Sequence, residues 1–325
     1  NVMGGLPEGA PQNRLGLAGW LTDDEHPVVS RVIVNRLWAR VYGGPLVRTP
    51  EDFGVQGEHP TPPELLDWLA VDLRENGWDL KGMLRMMVHS QTFKQSSAWR
   101  KNLSDPENKL FARGPGYRLD AEVLRDIGLW ASGLLSPHMG GEGVKPYQPD
   151  GMWKALAHPG SNTKQYVRDN GELLYRRSLY VYWKRTSPHP MMTLFDAPDR
   201  ESSCVQRQRT NTALQSLGLL NETQRVEMGR VLAERLLTQT ESDEARINLL
   251  FRLLASRDAS EQERNAVLGL VDAMKQRFAE SGDDARSLLG IGEAEPNDSL
   301  DVVAHAAWTQ AAIAVLASDP AILLY

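Results

Sequence analysis

A single cysteine, Cys204, is all that the 325 residues hold. That excludes an internal disulfide, a cluster of thiolate metal ligands and the paired-cysteine attachment of a haem. A buried, structural place is expected for it, because lone cysteines are among the most buried residues. Long apolar runs are missing too. The best stretch, Ala304 to Ala317, is broken by His305, Thr309 and Gln310; it is too short and too polar to cross a bilayer, so no membrane insertion is expected. Nor is there a basic surplus: Lys and Arg number 36 against 42 Asp and Glu, for a formal net charge of −6 and a pI near 5.7. General nucleic-acid binding needs a cationic face that displaces counterions, so nucleic acid is not an expected partner. The chain opens at Asn1 with neither an initiator methionine nor a signal-peptide apolar core, the pattern expected of a segment whose upstream part has been removed.

Catalytic signatures are equally scarce. No glycine-rich dinucleotide turn, phosphate loop, HExxH, GxSxG or calcium loop occurs. None of the seven histidines lies three or four residues from another, so no helical pair faces one metal ion. No transition metal, haem or other cofactor is therefore expected.

What is present reads as helix. An apolar fraction of 41% with 24% charged residues is that of a folded globular chain. Val29, Ile33, Leu37 and Val41 recur at helical spacing until Gly43-Gly44 stops them. Thr61-Pro62-Pro63-Glu64 has the spacing of a capping box ahead of Leu65, Leu66, Leu69 and Leu73, and Ser260-Glu261-Gln262-Glu263 has it again. Asp79 can cap a helix striped by Met83, Leu84, Met87 and Val88. Further helices are expected over 120–135, 212–220, 222–237, 243–255, 261–279 and 300–317. Between the helical ends, residues 137–210 are rich in proline and glycine, and only Arg177 to Arg185 alternates like a strand. The fold class is mainly α: a multi-helix orthogonal bundle with an ordered loop-rich middle layer and at most a small β element. The expected division is a linker over 1–12, an N-terminal helical part over 13–136, the layer over 137–210 and a C-terminal helical part over 211–325, all one composite domain.

The layer is where composition departs from background. From Lys164 to Arg209 nine basic residues meet five acidic ones, a local +4 (nine minus five) in an acidic chain. Guanidinium forks bind carboxylate, sulfate or phosphate, and flat aromatic faces stack on sugar rings. Arg176, Arg177, Tyr182, Trp183, Arg185, Arg200, Arg207, Arg209 and Asn211 are thus the expected ligand-binding set, with an anionic glycan as partner. The competing expectation is that these arginines pair with Asp196, Asp199 and Glu201 and satisfy loop carbonyls. Asp196 and Asp199 are close enough in sequence to serve as acid and base in glycoside cleavage, and are the weak catalytic candidates.

Several runs also carry a resemblance: Val34-Asn35-Arg36-Leu37-Trp38, Asp52-Phe53-Gly54, Pro63-Glu64-Leu65-Leu66-Asp67-Trp68-Leu69, Tyr175-Arg176-Arg177-Ser178-Leu179-Tyr180, Trp183-Lys184-Arg185-Thr186, Phe195-Asp196-Ala197-Pro198 and Arg209-Thr210-Asn211-Thr212. In this order, the chain resembles the planctomycete-type C-terminal domain of unknown function called PSD-one. The resemblance implies an exported, periplasmic or cell-surface setting. It also implies upstream domains of the same polypeptide, cytochrome c-type ones among them, and genomes devoted to polysaccharide degradation. It supplies no catalytic residues. Three functions stand side by side: an accessory module binding an anionic or sulfated glycan, a glycan hydrolase or lyase using Asp196 or Asp199, and a scaffold docking a cytochrome-type domain.

Overall fold

The computed structural model describes residues 4–158 and 160–324. Asn1 to Met3 of the expected linker, Pro159 of the layer and Tyr325 lie outside the described residues. Fourteen α-helices occur among those described, and the one sheet pairs β1 (Tyr117–Arg118) with β2 (Leu323–Leu324). The protein is mainly α. It divides into two compact units, Asn1–Tyr117 with Leu324–Tyr325, and Arg118–Leu323. The expected seams at 136/137 and 210/211 both fall inside the second unit, where the layer packs on helices from either side of it.

The first unit holds α1 (Arg14–Leu21), α2 (Val29–Tyr42), α3 (Pro63–Glu75) and α4 (Leu80–His89). Asn13 caps α1 by accepting from Leu15 N and Gly16 N, and Asp79 caps α4 by accepting from Gly82 N at 2.9 Å. Val34, Trp38, Val41, Leu66, Leu69, Leu73, Met83 and Met87 form one core from the apolar stripes of three helices. Each such side chain contributes about 1.5–3 kcal/mol by leaving water. The capping box expected at Thr61 is not formed. Pro62 occupies the N-cap position with no side-chain bond, and two prolines without N–H groups leave the first turn fewer donors to satisfy.

The second unit holds α5 (Ala121–Ser132), α6 (Met152–Leu156), α7 (Pro190–Leu194), α8 (Ala213–Asn221), α9 (Thr223–Gln239), α10 (Asp243–Ala255), α11 (Glu261–Glu280), α12 (Gly282–Leu289), α13 (Val302–Leu316) and α14 (Asp319–Ile322). The interrupted apolar run of the sequence is α13. It is buried almost all round, with small Ala306, Ala307, Ala311 and Ala312 against α9 and α11, as a central core helix must be.

Here the second capping box is formed, Ser260 and Glu263 each receiving from the other's backbone N–H. Arg257 first, then Ser260, hold the Glu263 carboxyl down to about 2 from 4.5. A depressed carboxyl stabilises above its unfolded value and loses that contribution as pH falls through the folded one, here from about 4.5 towards 2. Glu263→Gln is expected to melt slightly below the parent near pH 6, and the two melting curves to converge only below about pH 2.

The strand expected over 177–185 is absent. Ser178–Tyr180 is a 3-10 turn, and the region has only single bridges, Ser136 to Arg176 and Val144 to Val181. Two contacts bend the chain there. Asp126 accepts from Ser178 N at 2.7 Å, and Arg125 donates to the Ser178 hydroxyl at 3.2 Å. Leu179 consequently stands 67% exposed while Val181 is buried, so the alternating apolar residues do not share a face.

Candidate functional site

Among the described residues, the expected ligand residues of the middle layer have scattered partners. Arg176 is 3% exposed and donates to the carbonyls of Glu142, Gly140 and His138, with its guanidinium 3.9 Å from the Tyr180 ring centre. Arg207 makes a two-pronged contact with Glu122, at 2.7 and 3.0 Å, and reaches Asp120 at 3.4 Å. These contacts tie both arginines into the layer, Arg176 buried and Arg207 half-buried. Trp183 donates to the Asp199 carbonyl at 3.0 Å with Arg200 stacked over its ring, and Arg185 faces Glu201 at 3.9 Å. Tyr182 lies elsewhere, against Trp153 with Lys145 over its ring. Arg177 faces Asp126 at 3.8 Å. Arg209 and Asn211 are exposed.

The weak catalytic candidates part company as well. Asp196 spends both carboxylate oxygens on Arg118 at 2.5 Å and on the Thr210 N–H and hydroxyl at 2.8 and 2.9 Å. Asp199 is exposed and accepts from Glu201 N. Cys204, expected inside, is exposed. It sits in an irregular stretch where no core exists to take it.

Sequence reasoning passed over the first unit, where a cleft of about 410 Å³ opens. That is the size of an ordinary small-ligand site. One wall is Trp99, 60% exposed, with the Arg113 guanidinium 4.8 Å from its ring centre. Tyr117 and Phe111 contribute further aromatic surface. Arg48 and Lys109 converge on Glu107 at 3.0 and 3.1 Å, and Arg113 donates to the Pro106 carbonyl at 2.8 Å. Three cations and one carboxylate thus line the cleft, a surplus of +2 (three minus one).

The local chain folds this way for identifiable reasons. Asp105 accepts from Lys109 N and Leu110 N, both at 2.8 Å, which curls the loop that carries Glu107 and Lys109. Asn108 pins the Arg113 backbone through both its amide atoms. Buried Asn35 exchanges two bonds with Val47 and so fixes the approach to Arg48. Gly43, at φ 80°, leaves room for the Tyr117 ring, which a Cβ would meet at 2.4 Å. A signal was present in the sequence. Residues 94–118 hold six basic and two acidic residues, the same +4 in barely half the length of the flagged stretch.

Fold and cleft together define a mainly α protein with a ligand-sized basic and aromatic cleft in its first unit. The chain belongs to the PSD1 family, described as a protein of unknown function (DUF1553), whose sequence profile matches residues 13–288. No curated protein and no solved structure matches it. No helix is long and apolar enough to cross a membrane among the described residues.

Proposed function

We propose that this chain is a binding module for an anionic saccharide, a uronate or a sulfate ester, held in the first-unit cleft and carried within a larger exported polypeptide. The observation that supports it is a largely exposed Trp99 in a cleft lined by three cations and one carboxylate, of which only Arg48 and Lys109 contact that carboxylate. A sugar's C–H face stacks on the indole, while Arg113 stays available to an incoming oxyanion because it is tied to one carbonyl and to the ring. Arg48 and Lys109 already bridge an oxyanion in Glu107, so a ligand carboxylate or sulfate can share them without exposing a new buried charge.

Titration calorimetry with sulfated, uronic and neutral oligosaccharides tests this. Binding is expected for the first two only, weakening as salt rises. Trp99→Ala and Arg113→Ala should each lower affinity about tenfold, the loss of about one charged or stacking contact. Their melting temperatures should stay at the parent value, since neither side chain is core. If no anionic saccharide binds, or binding ignores both substitutions, the reading fails.

A further inference from the structure

In the second unit, residues of α5, α7, α8 and α9 line a small cavity with about 20 Å³ of space. That is room for one water-sized species. Its walls are apolar, Met192, Phe195 and Met228 among them, but Arg125, Arg225, Glu222 and His189 also line it. Both guanidiniums and the imidazole are more than nine-tenths buried. Arg125 spends its N–H groups on Gln224 and on the carbonyls of Leu174 and Arg176. Arg225 donates to the Leu124 and Leu316 carbonyls at 3.1 and 2.6 Å, which leaves its Nε–H buried with no partner among the described residues.

His189 Nε2 lies 2.7 Å from the Tyr147 carbonyl. A carbonyl only accepts, so Nε2 carries the hydrogen and Nδ1 of the neutral ring is a lone pair, also buried and unpartnered. Glu222 is the one carboxylate lining the cavity, and it is already engaged in accepting from Arg225 N at 2.8 Å. Asp126 reaches Arg125 only at 3.9 Å and does not line the space.

His189 has the Tyr147 carbonyl and the Arg125 charge beside it, and the other charged groups lining the same space are Arg225 and Glu222 at the start of α9. Against them, an anion arriving alone meets the Nδ1 lone pair. A proton arriving alone puts a third cation beside two others, and burial, with Arg125 adding to it, holds His189 down to about 4. Arriving together, the two leave the net charge unchanged, since two positive and one negative become three and two. We propose that this cavity takes up one halide-sized anion together with one proton, the anion lying between Arg225 Nε–H and a protonated His189 Nδ1.

The test is to melt the wild-type chain in sodium bromide and sodium gluconate mixtures at fixed ionic strength, near pH 5 and near pH 8. Gluconate is too large for the cavity. At the lower pH, bromide in large excess over its dissociation constant is expected to raise the melting temperature saturably, by about 5 °C. At the higher pH it should do little. Crystals soaked in bromide near pH 5 should show an anomalous peak beside His189. His189→Gln keeps a donor for the Tyr147 carbonyl but takes up no proton, and should lose the bromide response. Melting that ignores bromide at pH 5, an equal response at both pH values, or an anomalous map with no peak in the cavity would each overturn the proposal. The wild-type measurements decide it even if the variant does not fold.

Discussion

Arg125→Met is expected to lower the melting temperature of the second unit by about 10 °C, a loss of about 3–5 kcal/mol. Arg125 is the hub on which the layer hangs. Its guanidinium bonds Gln224 at 2.7 Å, the Arg176 carbonyl at 2.8 Å, the Leu174 carbonyl at 2.7 Å and the Ser178 hydroxyl at 3.2 Å, all buried. Burial, offset in part by Asp126 and Glu222, holds its own pKa down to about 10, so the charge itself is costly. What outweighs that cost is the set of acceptors that would otherwise be stranded. Methionine fills the volume and supplies no donor. Among the described residues only the Leu174 carbonyl keeps a side-chain bond, from Gln224 at 3.0 Å. Thermal denaturation followed by circular dichroism measures the loss, and a variant that melts within 2 °C of the parent would contradict the hub role.

Glu227→Ala is expected to cost a similar amount, about 3–5 kcal/mol, by freeing the chain that follows α12. Glu227 is 0% exposed on α9, and one oxygen accepts from Glu293 N at 2.7 Å, Ala294 N at 2.8 Å and the Tyr175 hydroxyl at 2.9 Å. The contact holds both tyrosine hydroxyls near it un-ionised, Tyr175 well above its usual range and Tyr147 at about 12, through burial first and the carboxylate second. Gly292 makes the approach possible. Its φ is +103°, and a Cβ there would stand 2.6 Å from the Glu227 carboxyl. Gly292→Ala should therefore destabilise by about 2–3 kcal/mol, strain and clash combined. Because both changes release the same segment, their losses should add to less than their sum. Hydrogen exchange at Glu293 and Ala294, fast in either variant and slow in the parent, is the direct readout.

Helix positions were legible because capping and periodicity are local, and α5, α9, α10, α11 and α13 fall within a few residues of the stretches the sequence marked. Thr61 shows the limit of that. The spacing was right, but the prolines moved the start by one residue. The basic surplus over 164–209 is offset from outside the stretch. Its neutralising carboxylates come from outside the window: Glu122 and Asp120 for Arg207, Asp126 for Arg177 and Glu293 for Arg168. Charge counted along a window does not see acids delivered by a neighbouring helix. The first-unit cleft is only partly legible, since Lys109 and Arg113 lie in the basic stretch over 94–118 while Arg48 comes from the loop after α2. The runs that carried the resemblance turn out to supply internal ties. Asn35 fixes Val47, Arg176 holds the 138–142 loop, and Thr210 holds Asp196.

The central claim is that ligand binding belongs to the first-unit cleft and that the basic layer is structural. One side-by-side experiment separates the two roles: affinity for a sulfated oligosaccharide and melting temperature, measured on wild type, Arg113→Ala and Arg176→Ala. The expected result is a crossover. Arg113→Ala loses about tenfold in affinity at an unchanged melting temperature. Arg176→Ala binds like the parent while it is folded and melts several degrees lower, about 2–3 kcal/mol of stranded carbonyls. A folded Arg176→Ala protein that no longer binds, beside an Arg113→Ala protein that binds normally, would contradict the account.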